Sequence, residues 1–184
     1  MMLERARSAL ILVDYQGRLL AAISGVDAVM REAVFLANVA RAVGVPVLCT
    51  EQNPERLGPT VPELKSLCDR TLAKMSFDAS AEGLADLIRA AGEGIDQVVI
   101  AGCEAHVCGL QTALGLKQRG LQVFLVPAAS GSRRPEDKSL AMQRLAHDGI
   151  TLVNGEMVAF EWLGACTDPQ FKAVQALIKE QPVN

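Results

Sequence analysis

Histidine and aromatic side chains are scarce in this 184-residue chain, and long apolar runs are missing. Because His106 and His147 are its only histidines, a histidine-rich zinc site or a Ser-His-Asp site has little to draw on. Aromatic residues make up 4% of a chain that is 50% hydrophobic, which predicts an aliphatic core and favours an α/β fold over a β-sandwich. The longest apolar stretches, about six residues, are too short to cross a bilayer.

Strong charge of either sign is also missing. The net charge is −3 at pH 7 and the basic residues are scattered, so no basic stripe that could follow a phosphate backbone is visible. No basic start leads into an apolar run with a small-residue cleavage site. We therefore expect a cytoplasmic protein that binds neither nucleic acid nor membranes.

The cysteines are odd in number and show no C-x-x-C spacing, which argues against a disulfide framework, a redox dithiol or a zinc knuckle. The five residues are Cys49, Cys68, Cys103, Cys108 and Cys166. At least one thiol is therefore free, and its environment decides whether it reacts.

Short apolar segments of β type alternate with longer segments of helical period, which is typical of βαβ units on a parallel sheet. The sequence predicts strands at Ala9–Val13, Val45–Thr50, Thr71–Lys74, Gln97–Ala101, Gln122–Val126 and Ile150–Val153. It predicts helices at about Val26–Val43, Glu82–Ala91, Val107–Arg119, Pro135–His147 and Asp168–Lys179. We expect an α/β, three-layer, doubly wound Rossmann-like fold with a six-stranded, mainly parallel sheet, in a single domain over residues 1–184.

Three polar residues follow predicted strands, and ligands bind beyond the carboxyl ends of strands in such sheets. Asp14 ends the run ALILV, Lys74 ends TLA, and Cys108 follows VVIAG at a predicted helix start. Each alone has an ordinary explanation, as a capping aspartate, a solvated lysine or a small buried thiol. Together they predict a nucleophile: the first helical turn and Lys74 would stabilise a thiolate, and Asp14 would accept its proton.

The backbone N–H groups of that turn could also hold the oxyanion of a tetrahedral intermediate, so the expected reaction is hydrolysis by addition to a carbonyl-like carbon. The remaining thiols rank lower because they lie within or directly after strands or lack a base near them in sequence (Cys49, Cys103, Cys68 and Cys166). His106 offers an alternative Cys-His pair, but two residues that lie two positions apart at a helix start tend to point in different directions.

Three segments carry a family resemblance: ALILVDYQ around Asp14, LAKMSFDA around Lys74 and VVIAGCEAHVCGLQTALGL around Cys108. In this order they resemble the isochorismatase-like cysteine hydrolases, which include nicotinamidases and carbamoylsarcosine amidases. The resemblance runs from about Ser8 to Val153. The segment CTEQNPERLGPTVPEL lacks the histidine-containing metal cluster of nicotinamidases and is similar to the isochorismatase domain-containing branch, whose substrates are mostly unassigned.

The resemblance implies a catalytic triad of Asp14, Lys74 and Cys108. It further implies a cis peptide bond between Cys103 and Glu104, and an oxyanion site made by the backbone N–H groups of Glu104 and Cys108. It implies no metal ion and no other cofactor, a small-molecule substrate, and a homo-oligomer of two or more copies.

The polar, Pro/Gly-rich segment Glu51–Pro62 follows a strand, so we expect it at the same sheet edge. Gln52 and Asn53 offer amide donors and acceptors there, and Phe77 could form a wall, so we expect these three residues in the substrate pocket. Trp162 is a further candidate wall.

The leading hypothesis is a metal-independent cysteine hydrolase that acts on a small amide, imide or related C–N substrate through a Cys108 thioester. A catalytically silent binding or scaffold protein that keeps the isochorismatase-like fold is the alternative. A redox-sensing thiol ranks last because no resolving cysteine lies near Cys108 in sequence. Isochorismate cleavage itself does not need the cysteine, so its presence favours amidase-type chemistry.

Overall fold

The computed structural model describes residues 2–182, which form an α/β fold around one parallel sheet. The strand order is β3-β2-β1-β4-β5-β6, with every neighbouring pair parallel. The strands are β1 (Ser8–Val13), β2 (Val47–Gln52), β3 (Arg70–Lys74), β4 (Gln97–Gly102), β5 (Gln122–Leu125) and β6 (Thr151–Leu152). This order is that of doubly wound nucleotide-binding folds, so the predicted fold class is confirmed.

Nine α-helices lie within residues 2–182: α1 (Gly17–Leu20), α2 (Val26–Val43), α3 (Pro54–Leu57), α4 (Pro62–Lys65), α5 (Leu84–Ala91), α6 (Leu110–Gln118), α7 (Pro135–His147), α8 (Gly155–Leu163) and α9 (Phe171–Lys179). In this part of the chain none of them combines the length and the apolar character that a membrane crossing requires. Helices α2 and α7 have the predicted bounds. The helix predicted from Val107 is divided, because a π-helical turn at Ala105–Gly109 precedes α6.

Helix α8 was not expected from the sequence. Its start carries a recognisable signal, since the Asn154 side chain accepts a hydrogen bond from the Met157 N–H at 2.8 Å. Asparagine at this position satisfies one of the free N–H groups of the first turn. The capping residue could therefore have revealed the helix.

Two hydrophobic cores lie on opposite faces of the sheet. The central strands β1 and β4 are buried along their whole length, which accounts for their uninterrupted apolar sequences. Leu10 and Leu12 contribute to a core with α2, α8 and α9, whereas Ala9 and Ile11 contribute to a second core with α5, α6 and α7. Alternate side chains of one strand thus serve two layers, which makes the architecture three-layered.

The winding of the chain reverses between β1 and β4, since β2 and β3 extend the sheet on one side and β5 and β6 on the other. Gly102 ends β4 opposite Val13, the last residue of β1. A Cβ atom at Gly102 would lie 2.5 Å from Val13 Cβ and 2.6 Å from the Val13 carbonyl oxygen. Glycine therefore permits the close approach of the two strands at the point where a doubly wound sheet opens its ligand crevice.

The number and spacing of the cysteines argued against a disulfide framework, and the structure corrects this expectation for one pair. Cys49, within β2, is joined to Cys68, which lies 19 residues later and shortly before β3. Their Cα atoms are 6.1 Å apart, within the usual range for a disulfide. The pairing of β2 with β3 brings the two residues together, and a search for C-x-x-C spacing cannot detect such a contact. The other cysteines are free.

Candidate active site

Asp14 follows β1 directly, and its backbone has a left-handed φ of 58°. This conformation is uncommon outside glycine, although aspartate tolerates it better than most residues do. The side chain is fully buried. Its Oδ1 accepts a hydrogen bond from Thr50 Oγ1 at 2.6 Å, and its Oδ2 accepts one from Lys74 Nζ at 2.8 Å. Such a conformation persists only when its surroundings hold it, and it is common at functional sites.

Lys74 is the last residue of β3, and its side chain is as fully enclosed as that of Asp14. The ammonium group donates to Asp14 Oδ2 at 2.8 Å, to Gln52 Oε1 at 2.7 Å and to the Ser76 carbonyl at 3.2 Å. A buried charge needs partners of this kind because its removal from water is costly. The structure therefore excludes a solvated strand end as the explanation of Lys74.

Cys108 lies in the π-helical turn between β4 and α6 and is 5% exposed. The charges of Asp14 and Lys74 both act on the thiol. Burial, reinforced by the negative charge of Asp14, raises the pKa of the thiol to about 12, and Lys74 offsets only part of the rise. The direction of this shift is opposite to the one expected from a helix start and a neighbouring lysine.

Gln52 contacts this cluster directly. Its Oε1 accepts the hydrogen bond from Lys74 and lies 4.0 Å from Cys108 Sγ, and its Nε2 donates to the Met75 carbonyl at 2.8 Å. The backbone of Gln52 is held by Gln16, whose Oε1 accepts from the Gln52 N–H at 2.8 Å. Gln52, which the sequence placed at this sheet edge as a pocket residue, thus lies against both Lys74 and Cys108.

The other predicted pocket residues lie farther along the same edge. The Asn53 N–H donates to the Lys74 carbonyl at 2.9 Å, and Phe77 follows β3 with 51% of its surface exposed. Their contact with a substrate stays a prediction. The suggestion that Trp162 walls the pocket is wrong, because Trp162 is buried in the core on the opposite face of the sheet from Cys108.

The turn that carries Cys108 is fastened to the loop after β5. The Ala105 N–H donates to the Gly131 carbonyl at 2.7 Å, and the Gly131 N–H donates back to the last residue of β4 at 3.1 Å. The peptide bond between Cys103 and Glu104 is cis, as the resemblance implied. That the backbone N–H groups of Glu104 and Cys108 bind an oxyanion stays a prediction.

An ionic cluster beside this turn escaped the sequence analysis. Glu104 Oε1 lies 2.5 Å from Arg133 Nε, and Glu104 Oε2 lies 3.7 Å from His106 Nε2. His106 Nδ1 is 3.0 Å from Ser132 Oγ, and its Nε2 is 3.9 Å from the Asp137 carboxylate. The imidazole therefore faces these groups, which argues against a Cys-His pair.

A second cluster that the sequence did not reveal lies at the end of β2. Glu51 Oε1 accepts from the Thr60 N–H at 2.9 Å and from Lys65 Nζ at 3.0 Å. Burial alone would raise the pKa of Glu51, but the hydrogen bonds from Thr60 and Lys65 outweigh it and lower the pKa. The carboxylate ties the end of β2 to the far part of the loop that follows it.

Fold and site together define a class: a doubly wound α/β protein that gathers a cysteine, a lysine and an aspartate at the carboxyl edge of its sheet. Within residues 2–182, no group of three or more His, Cys, Asp or Glu side chains is placed to hold a metal ion. The family model of the isochorismatase domain matches residues 8–157, and the chain belongs to the isochorismatase family. Membership supports a hydrolase.

Individual relatives agree with this assignment. Human isochorismatase domain-containing protein 2 is 37% identical over 179 residues, which cover 94% of this chain and 83% of the relative. The structure of MAR1 ribonuclease from Caenorhabditis elegans has a TM-score of 0.92 and 30% identity, covering 100% of this chain and 95% of that chain. A structure of YcaC from Pseudomonas aeruginosa, with hexane-2,5-diol and covalent acrylamide, has a TM-score of 0.86 and 26% identity, covering 97% of this chain and 94% of that chain.

Proposed function

We propose that the protein is a metal-independent cysteine hydrolase that cleaves a small amide, imide or related C–N substrate through a Cys108 thioester. The observation that carries this proposal is the buried cluster of Asp14, Lys74 and Cys108, which come from the ends of β1 and β3 and from the turn after β4. An apolar core would be easier to bury than a Lys-Asp pair, because removing two charges from water is costly. A pair retained beside a buried sulfur is best explained by chemistry.

In the proposed reaction, Cys108 Sγ attacks the carbonyl carbon of the substrate while the thiol proton passes to the Asp14 carboxylate. A C–S bond forms, the carbonyl electrons move onto oxygen, and the backbone N–H groups of Glu104 and Cys108 hold the oxyanion. When the intermediate collapses, the C–N bond breaks and the leaving nitrogen takes the proton from Asp14. Water then cleaves the thioester, again losing a proton to Asp14, which returns it to the departing sulfur.

The high pKa of the Cys108 thiol is compatible with this scheme. A thiolate need not accumulate before the substrate arrives, since proton transfer to Asp14 accompanies the attack. Lys74 balances the negative charge of Asp14 in the resting state and faces the developing negative charge on sulfur during the reaction. The ammonium group therefore keeps the cluster close to neutrality throughout.

Mass spectrometry with a panel of small amides tests the proposal. We expect a mass increase on the Cys108 peptide that matches the acyl group, together with release of the product acid, and loss of both in Cys108→Ala. The matched control is Cys166→Ala, because Cys166 is a free but exposed cysteine outside the cluster. Absence of Cys108-dependent turnover with every amide in the panel would contradict the proposal.

Acrylamide, which is covalently bound in the YcaC structure from Pseudomonas aeruginosa, is a separate probe of the thiol, because it also adds to thiols through its C=C bond without losing its nitrogen. The description of the Caenorhabditis elegans neighbour as a ribonuclease suggests a second assay, with single-stranded RNA. We rank RNA cleavage lower here because the net charge of −3 and the scattered basic residues favour no polyanionic substrate. Cleavage of RNA by the wild type that is lost in Cys108→Ala would reverse this ranking.

Assembly and location stay predictions. The family resemblance implies a homo-oligomer of two or more copies, and light scattering of the purified protein at several concentrations measures the number directly. A cytoplasmic location remains our expectation, and fractionation of cells that express a tagged chain would check it.

A further inference from the structure

The ammonium group of Lys74 has no free donor in the resting site. A protonated lysine has three N–H groups. Three oxygens accept from Lys74 Nζ, and they belong to Asp14, Gln52 and Ser76. The Lys74 side chain is 0% exposed, so these three acceptors lie inside the protein. A thiolate at Cys108 could be stabilised by a direct hydrogen bond from Lys74 only if one of these acceptors gave way.

The three acceptors differ in how easily they can leave. The Asp14 carboxylate is charged and is also held by Thr50, so its bond to the ammonium is the strongest of the three. The Ser76 acceptor is a backbone carbonyl only two residues beyond Lys74, and moving it would move the chain. Gln52 offers a neutral carboxamide on a side chain with rotatable bonds, and its Oε1 is the acceptor in contact with Cys108 Sγ, at 4.0 Å.

We propose that Gln52 is a positioning residue that caps Lys74 in the resting site and yields one ammonium donor to the Cys108 sulfur when the thiol loses its proton to Asp14. The proposal rests on the proposed cysteine chemistry but concerns the thiol itself and needs no substrate. The cap keeps the cysteine protonated and unreactive until the carboxamide turns away. Burial raises the pKa of the thiol first and the charge of Asp14 adds to it, so the cap acts by limiting how far Lys74 can offset that rise.

Two substitutions of similar size make opposite predictions. Gln52→Met removes the acceptor, frees a donor for the sulfur and should lower the apparent pKa of the thiol. Gln52→Glu places a second carboxylate against Lys74 and beside the sulfur, so it should raise that pKa. Loosening of the structure would instead move both variants in the same direction, towards the ordinary pKa of an exposed thiol.

The measurement is the rate of alkylation of Cys108 by iodoacetamide from pH 6 to pH 10, followed on the Cys108 peptide by mass spectrometry. Since one pKa unit changes the thiolate fraction about tenfold, Gln52→Met should react about tenfold faster than wild type at pH 7, and Gln52→Glu more slowly. Gln143→Met is the control, because Gln143 is exposed on α7, and its profile should match the wild type. The other groups beside the turn, Glu104 and His106, are unchanged in every variant.

Shifts of opposite sign in the two variants support the cap. Unchanged profiles, or shifts of the same sign, overturn it. If Gln52→Met does not fold, as judged by circular dichroism, Gln52→Asn replaces it, since the shorter amide cannot reach Lys74 and should also speed alkylation. No amide turnover enters the measurement, so a failure of the hydrolase proposal and a failure of the cap are distinguished.

Discussion

Two lysine-carboxylate pairs lie at the carboxyl edge of the sheet, and they differ in their access to water. The side chains of Asp14 and Lys74 are both 0% exposed, whereas those of Glu51 and Lys65 are 10% and 45% exposed. Their N–O distances are similar, at 2.8 Å and 3.0 Å. The comparison shows that distance alone does not distinguish a structural pair from a candidate catalytic one.

Solvent decides what each pair can do. Water screens the Glu51-Lys65 pair, so it contributes modestly and serves to close the loop after β2. The Asp14-Lys74 pair lies beside a buried sulfur, where charges act strongly on one another and where a lost partner leaves the other uncompensated.

Replacing the lysine of each pair should lower the free energy of unfolding by very different amounts. Lys74→Met leaves Asp14 buried without its cation, and we expect a loss of about 3–5 kcal/mol in the free energy of unfolding. Lys65→Met should cost less than about 1 kcal/mol because its pair is partly solvated. Urea denaturation followed by circular dichroism measures both. Equal losses in the two variants would remove the distinction between the pairs.

Replacing the carboxylate of each pair should affect the rate of thioester formation very differently. Asp14→Asn keeps the size of the side chain and tolerates the left-handed backbone, but it cannot accept the thiol proton. We expect the initial rate of thioester formation to fall by about 10²–10⁴-fold. Glu51→Gln should retain nearly all of the wild-type rate. Stopped-flow measurements with the best amide of the panel make the comparison, and a fully active Asp14→Asn variant would exclude Asp14 as the base.

A third pair, between Arg133 and Glu104, sharpens the comparison because its members are 63% and 9% exposed. Arg133→Met should change the free energy of unfolding by less than about 1 kcal/mol. It should nevertheless lower kcat by a few fold, because Glu104 belongs to the turn that carries Cys108. Steady-state kinetics give the rate. A loss of more than about 1 kcal/mol in the free energy of unfolding together with an unchanged kcat would mean that the pair is structural only.

The smallest expected effect is on acid stability. The pKa of Glu51 is lowered in the folded protein, so its contribution is present above the ordinary value of 4.5 and is lost as the pH falls through the folded value. Glu51→Gln should therefore weaken the decline of the melting temperature between about pH 5 and pH 3. Thermal melts of the two proteins at matched ionic strength reveal the difference, and parallel declines would contradict the assignment.

Much of the fold could be read from the sequence because its signals are local. Apolar β-type runs separated by helical segments predicted all six strands and the parallel sheet, with differences of one or two residues at most strand ends. The same reasoning found Asp14, which directly follows β1, Lys74, which ends β3, and Cys108, which lies in the turn between β4 and α6. Parallel strands bring their carboxyl ends to one edge, and three distant residues therefore met as expected.

The features that the sequence did not reveal depend on packing. The direction of the pKa shift of Cys108 follows from its burial, which no motif records. Glu104 pairs with Arg133, and His106 contacts Ser132, which lies 26 positions further along the chain. Cys49 and Cys68 meet because β2 pairs with β3. These features arise from packing between different strands, helices and loops. The spacing of residues within one segment of sequence does not reveal them.

The strand order also bears on the order in which the residues of the site can come together during translation. Strands β1, β2 and β3 are neighbours in the sheet and precede β4 in the chain, so their docking can bring Asp14 and Lys74 together before Cys108 leaves the ribosome. The nucleophile is thus translated last of the three. In a nascent chain the Asp14-Lys74 ion pair could therefore form first. Cys108 would join it only when β4 and the turn after it are added to the sheet.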